Sequence, residues 1–232
     1  MSSRLQQQLL FSLSGLLALS SGLLSAVSSG LPLWLRGSVL CLTGAELVNA
    51  SGPELDKFRG ELSYGLLMGR RVRQCGLGGR ASSFYFFPEL LSAIPVGLHV
   101  SVLFFCGVVV LFSSVGSGFF FFNAFGRPYE TLQGPLGLYL WTTISCVSSC
   151  LVMILFASEV SLSHLSDRIA NFNEGSFVYQ THSEHFGRCF WLFFLVFLLH
   201  TINFLLIRLT GVQFPFRGKE VDPSGGAADL MY

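Results

Sequence analysis

Residues 94–122 read IPVGLHVSVLFFCGVVVLFSSVGSGFFFF, a run of apolar and small side chains without a single Asp, Glu, Lys or Arg. A helix needs about 20 such residues to cross roughly 30 Å of hydrocarbon. Backbone groups in lipid must bond within their own segment or close a barrel, and barrel strands alternate apolar with polar side chains, which this run does not. It therefore predicts a membrane-spanning helix. Three further runs are of similar length and apolarity, at 9–31, 136–157 and 189–209, the last with a single basic residue, Arg208, next to its end. The whole chain agrees with that solvent: of 232 residues 51 % are hydrophobic, 24 are phenylalanine and 12 % are charged, too apolar to solvate the surface of a water-soluble domain.

The expected fold is an all-α membrane four-helix bundle with a small antiparallel β-sheet outside the membrane. Residues 1–8 and 210–232 form the ends, 32–93 and 158–188 the first and third loops, and 123–135 a short second loop. The net charge of +1 excludes a nucleic-acid binder, which needs a clustered excess of Lys and Arg.

Arg4, the first apolar run and Ala26-Val27-Ser28 also fit a secretory signal with its cleavage site. Two features favour a retained span. The run is longer than the roughly 7–15 residues of a signal core, and Ser14, Ala18, Gly22, Ala26 and Gly30 recur every fourth residue. Such a stripe lets another helix approach closely in lipid. Ser114 and Gly118 in the second run, and Ser145 and Ser149 in the third, repeat the spacing. The partners this implies are membrane lipid and other helices, from this chain, a second copy of it or another membrane protein.

Sidedness follows from the first loop. Lys and Arg counts alone point the other way, with nine basic residues in the first and third loops against five elsewhere, but loops near about 60 residues cross with little regard to charge. Asn49-Ala50-Ser51 fits the N-glycosylation sequon, used only in the lumen. The same loop holds Cys41 and Cys75 and no other cysteine, as expected of one disulfide in an oxidising compartment; Cys106, Cys146, Cys150 and Cys189 lie in or beside the spans. Both termini are therefore expected in the cytoplasm of a multi-pass plasma-membrane protein. Within the loops, 33–42, 62–68, 72–75, 83–87 and 176–179 read as short strands. Leu162, Leu165, Ile169 and Phe172 predict that the third helix continues as an amphipathic extension.

Trp34, Cys41, Tyr64-Gly65-Leu66 and Cys75 in a loop bounded by four spans resemble the claudin-like tetraspan superfamily, with Leu67 where claudins carry Trp and a wider cysteine spacing. A more extended resemblance covers nearly the whole chain. ELDKF (54–58), VRQCGLG (72–78), NAFGRPYETLQGPLGLYL (123–140), CLVMILFASEV (150–160), FPF (214–216) and AADLMY (227–232) are similar to the clarins. That resemblance implies a non-enzymatic membrane glycoprotein of hair cells and retina, connected with stereocilia, synapses, photoreceptor maintenance and the actin cytoskeleton.

No constellation of polar groups reads as catalytic, metal-binding or cofactor-binding. His182 and His185 lack a suitably spaced carboxylate or thiolate, and Gly76-Leu-Gly-Gly79 lacks the strand-to-helix context of a phosphate loop. His200 and Asn203 share a face of the fourth span; interhelical hydrogen bonding is favoured there over a proton or ion path. Leu230, Met231 and Tyr232 fit a PDZ ligand, whose strand adds to a sheet edge. Tyr129-Glu-Thr-Leu132 fits a Tyr-x-x-apolar sorting signal, but a helix-entry turn after Arg127-Pro128, held too near the bilayer to be read, is favoured. The function expected is a structural or scaffolding protein working through lateral helix contacts and a cytoplasmic partner that leads to actin, a PDZ scaffold being one candidate for that partner. The rival is an auxiliary subunit of a channel or transport complex.

Overall fold

The computed structural model describes residues 2–126 and 134–210. Four long helices, α1 (Ser2–Gly30), α3 (Val96–Phe125), α4 (Pro135–Ser163) and α6 (Arg188–Leu209), are each long and apolar enough to cross a membrane. α1 and α4 each pack on both α3 and α6, so they occupy opposite corners of a four-helix bundle. Residues 2–8, expected as a separate tail, are the first turns of α1.

The small residues of α1 meet their neighbours in a modified pattern. Ser14, Ala18 and Gly22 are buried, as are Gly15, Ser21, Ser25 and Ser28, whereas Ala26 and Gly30 are exposed. A four-residue step overshoots one helical turn by about 40°, so a strict stripe rotates off the contact within a few steps, and the contact passes to the serines. Ser21, Ser25 and Ser28 donate to carbonyls of their own helix, at 2.8, 2.8 and 2.6 Å, which satisfies the hydroxyls and leaves a small, apolar-like surface. In α3 the inward small residues are Ser113, Gly116 and Ser117, while Ser114 and Gly118 are exposed; Ser145 and Ser149 of α4 are buried.

At one end of the bundle stands a five-stranded antiparallel sheet of order β4-β3-β2-β1-β5, formed by β1 (Leu35–Cys41), β2 (Arg59–Tyr64), β3 (Met68–Gln74), β4 (Gly79–Tyr85) and β5 (Tyr179–Phe186). Between β1 and β2 lie the short helix α2 (Leu42–Leu47) and a 3-10 turn at Gly52–Phe58. The strand expected over 62–68 is instead the end of β2, a turn and the start of β3. A Cβ on Gly65 would stand 2.2 Å from the Leu31 carbonyl oxygen, so this turn can press against the exit of α1 only as glycine. The strand expected at 176–179 begins where that span ends. Its residues alternate poorly, because His182 is an extra residue in a bulge opposite Ser38 and Val39.

The expected extension of α4 is broken. His164 adopts left-handed angles, φ 48° and ψ 49°, and a separate helix α5 (Leu165–Asn171) follows. Leu165 and Ile169 are fully buried beneath the sheet, while Leu162 is 78 % exposed. The core runs without interruption from sheet to bundle through Trp34, Tyr64, Leu66, Phe86, Phe156 and Phe193. Trp34 packs at 5.0 Å against both Phe156 and Phe193, and its indole N–H donates to the Ser28 carbonyl at 2.7 Å.

Candidate functional site: the joint between sheet and bundle

Cys41 and Cys75 are bonded, with Cα atoms 5.5 Å apart. The bridge ties the end of β1 to the β3–β4 turn, whose Gly76 and Gly78 have φ of +83° and +100°; Gly76-Leu-Gly-Gly79 is thus a strand-to-strand turn. Asn49 lies exposed on the turn after α2, with φ of +49°, a left-handed conformation that asparagine tolerates better than most residues. The sequon is therefore presented to solvent on the disulfide-bonded side of the sheet. Leu230, Met231, Tyr232 and the 129–132 motif lie outside the described residues.

The inner face of the sheet is fastened to α5 by two arginines from β3. Arg71 donates from Nε to Ser82 Oγ at 3.1 Å and from Nη1 to the Ile169 carbonyl. Arg73 donates to the Ala170 carbonyl at 2.9 Å, to the Phe172 carbonyl, and pairs with Glu174 at 3.3 Å. These are carbonyls at the end of α5, which have no partner within the helix and attract cations. Burial, reinforced by the neighbouring Arg73 charge, brings Arg71 down to about 10, so it stays charged in neutral solution. Burial also lowers Arg73, opposed by Glu174.

Beside this clamp, Asp167 Oδ1 accepts from the backbone N–H and the hydroxyl of Thr181, both at 2.6 Å. The Tyr64 hydroxyl lies 3.2 Å from Ser166 Oγ, which donates to Glu184 at 2.8 Å. Burial holds the Tyr64 phenol well above its ordinary value of 10.0.

A second fastening went unrecognised in the sequence. His99, in the first turn of α3, and Glu159, near the end of α4, are both fully buried, with Nδ1 and Oε1 2.9 Å apart. His99 Nε2 lies 2.8 Å from the Leu66 carbonyl, and its ring stacks on Phe86 at 4.5 Å. A carbonyl only accepts, so Nε2 carries a proton. Nδ1 then either donates to a carboxylate as an imidazolium or accepts from a protonated carboxyl. One proton sits between the two groups in each case, and the pair has no net charge. Two membrane helices and the β2–β3 turn are joined at this point. A signal was present: in antiparallel helices, a polar residue just inside one span faces a polar residue just beyond the end of the next.

Within the bundle, His200 Nε2 and Ser113 Oγ are 2.9 Å apart across α6 and α3, an interhelical hydrogen bond of the kind expected, while Asn203 is fully buried. His182 and His185 are exposed on β5, with His182 Nε2 3.3 Å from an Arg59 nitrogen. Among the described residues no group of three His, Cys, Asp or Glu side chains is placed to hold a metal ion.

The Clarin-2-like family profile matches residues 6–207. Human clarin-1 is 53 % identical over 228 residues, covering 98 % of both chains. Mouse clarin-1 is 51 % identical over the same shares, and mouse clarin-2 is 36 % identical over 96 % of both chains. Fold and likeness together define a multi-pass membrane protein of four spans carrying a small disulfide-bonded antiparallel sheet. Within that class the chain belongs to the clarin family, and it is more similar to these clarin-1 sequences than to this clarin-2.

Proposed function

We propose that the chain is a non-enzymatic membrane glycoprotein of the plasma membrane that organises membrane and actin-linked structures in sensory cells, at stereocilia, synapses and photoreceptors. Its sheet faces the exterior and both termini face the cytoplasm. The observation that carries this reading is the likeness to human clarin-1 over 98 % of both chains, which includes the loops as well as the spans. The joint supports a mechanical role: its polar groups are engaged with one another across elements, as befits a rigid mount that presents the sheet. Asn49 bears a glycan, lateral helix contacts gather other membrane proteins or further copies of the chain, and the 211–232 segment engages a PDZ-type scaffold.

Digestion of wild type and Asn49→Gln with an N-glycosidase tests the orientation. A mobility shift in wild type that the variant lacks is expected, and no shift in either would remove the case for an exterior sheet. Proximity labelling in a microvillar sensory cell tests the role. Actin-linked proteins should be labelled, and lost on deletion of the last four residues; co-purification of a stoichiometric pore-forming subunit with no cytoskeletal protein would instead favour an auxiliary channel subunit.

A further inference from the structure

The face of the sheet turned away from α5 carries a row whose charged members no contact in the fold engages, although its central Ser63 donates to the Pro32 carbonyl at 3.0 Å. Register sets Ser83 of β4 beside Arg70 of β3, Arg70 beside Ser63 of β2, Ser63 beside Arg36 of β1, and Arg36 beside His185 of β5. Directly paired residues project to the same face, so the row presents two arginines separated by the Ser63 hydroxyl, with His185 directly beside Arg36 and Ser83 beside Arg70. Arg36, Arg70 and His185 are exposed. The arginines enter none of the ion pairs found among the described residues. All of the row but Ser83 lines an open depression of about 630 Å³ whose floor begins at Pro32 and Leu33, where the chain leaves α1, and whose one acidic side chain is Glu61. Strands lie about 4.8 Å apart, so Arg36 and Arg70 stand roughly 10 Å apart across Ser63, a span that two guanidinium groups can close on one anion.

The depth of the row in the membrane identifies that anion. α6 has 22 residues, about 33 Å of helix, barely more than the ~30 Å hydrocarbon thickness. Its first residue, Arg188, therefore marks the boundary of the hydrocarbon on the sheet side. His185 lies three residues earlier, at most about 10 Å of extended chain, and the headgroup layer extends about 5–8 Å beyond the hydrocarbon. The anions within an arginine side chain's reach of that level are lipid phosphates. A second depression, about 430 Å³ and mainly apolar, lies between α1 and α3 in the same half of the bundle, lined by Ala26, Ser29, Leu103, Cys106 and Gly107 among others. Its position on α1 is one to two turns below Pro32, within reach of an acyl chain whose headgroup sits on the row.

We propose that Arg36, Arg70 and His185 bind the phosphodiester of a glycerophospholipid in the leaflet on the sheet side. The arginines supply charge-assisted donors in the planar fork that suits phosphate, and His185 supplies a ring N–H. Glu61 sets the limit, because its carboxylate repels the same anion.

Delipidated full-length chain in detergent micelles, examined by native mass spectrometry, tests this with three probes: dioleoyl phosphatidylcholine, dioleoyl phosphatidylglycerol and dioleoylglycerol, which has the same chains and no phosphate. Both phospholipids should be retained, with dioleoylglycerol at least about tenfold weaker, and Arg36→Gln and Arg70→Gln should each weaken phospholipid retention about tenfold. Arg80→Gln, an exposed arginine outside the row, should leave retention unchanged, and Glu61→Gln should strengthen it severalfold, an effect that damage to the fold cannot mimic. Equal retention of dioleoylglycerol would overturn the proposal. So would undiminished retention by a doubly substituted Arg36→Gln, Arg70→Gln chain, or displacement of the lipid by an equal concentration of soluble glycerophosphocholine.

Discussion

Replacing Glu159 with leucine removes one half of the pair that joins α3, α4 and the β2–β3 turn. The site is wholly buried, so water cannot take over the lost bond. His99 retains its Nε2–H bond to Leu66, but Nδ1 is left facing an alkyl group. An unsatisfied buried polar atom costs about 1–3 kcal/mol, and breaking an ionised buried pair about 3–5 kcal/mol. A loss near 3 kcal/mol is therefore expected, and for a chain of this size each kcal/mol shifts the midpoint by about 2–4 °C, giving roughly 6–12 °C.

His99→Leu should cost as much or more, because it strands a carboxyl whose Oε2 already has no partner and also frees the Leu66 carbonyl. The double replacement His99→Leu, Glu159→Leu removes both polar groups and should recover most of the loss, since apolar substitutes for a buried pair are often neutral. The assay is thermal unfolding in one fixed detergent, with hydrogen exchange at Tyr64–Met68 as a local reporter of the turn. Single substitutions costing less than about 0.5 kcal/mol, as at an ordinary surface site, would refute the reasoning. So would additivity of the two within about 0.5 kcal/mol.

Cys41→Ser should destabilise the sheet by about 2–4 kcal/mol, the usual value for a bridge closing a loop of this size, and should reduce the fraction of chain reaching the cell surface, as measured by surface biotinylation. Gly60→Ala should be more damaging than a typical glycine replacement in a strand, because its Cβ would lie 2.1 Å from the Val72 carbonyl oxygen; the β2–β3 ladder must part, which hydrogen exchange across β3 would register. Tyr64 makes the fold sensitive to alkali. Its folded value is raised by burial, so the unfolded chain sheds the phenolic proton first, and stability present below about pH 10 is lost as pH rises past it. Unfolding midpoints scanned from pH 8 upward should fall, and Tyr64→Phe should flatten that fall.

The spans were legible because each reports its own solvent over about 20 residues; α6 begins at Arg188, one residue before the apolar run. The strands were less so. Each shows one face to solvent, so apolar content places β2 too late: Arg59, Gly60 and Glu61 look like loop yet pair with Leu40, Val39 and Ser38. Tyr64-Gly65-Leu66-Leu67 looks like strand, yet it turns so that Tyr64 and Leu66 can be wholly buried against the bundle. Local composition cannot register that, because the burial is created by residues distant in sequence, from Trp34 and Phe86 to His99 and Ser166.

The small-residue stripe was half legible for a geometric reason. Spacing of four follows a helix face for about two turns, through Ser14, Ala18 and Gly22, and then the face belongs to Ser25 and Ser28, whose hydroxyls count as polar in a sequence although the carbonyls of Ser21 and Leu24, one turn back, accept from them. His99 and Glu159 illustrate the opposite failure. Each looks like an isolated imperfection at the margin of a span, and an unpaired charge there would simply turn towards the headgroups. Only the antiparallel arrangement of α3 and α4 brings both to one depth, and the Leu66 carbonyl then demands a proton from the same ring. The sheet is thus held at a polar point inside an otherwise apolar core, where a mismatched partner is costly. That cost ties the angle between sheet and bundle to the register of α3 against α4, so a change that slides one helix by a turn must also release the β2–β3 turn.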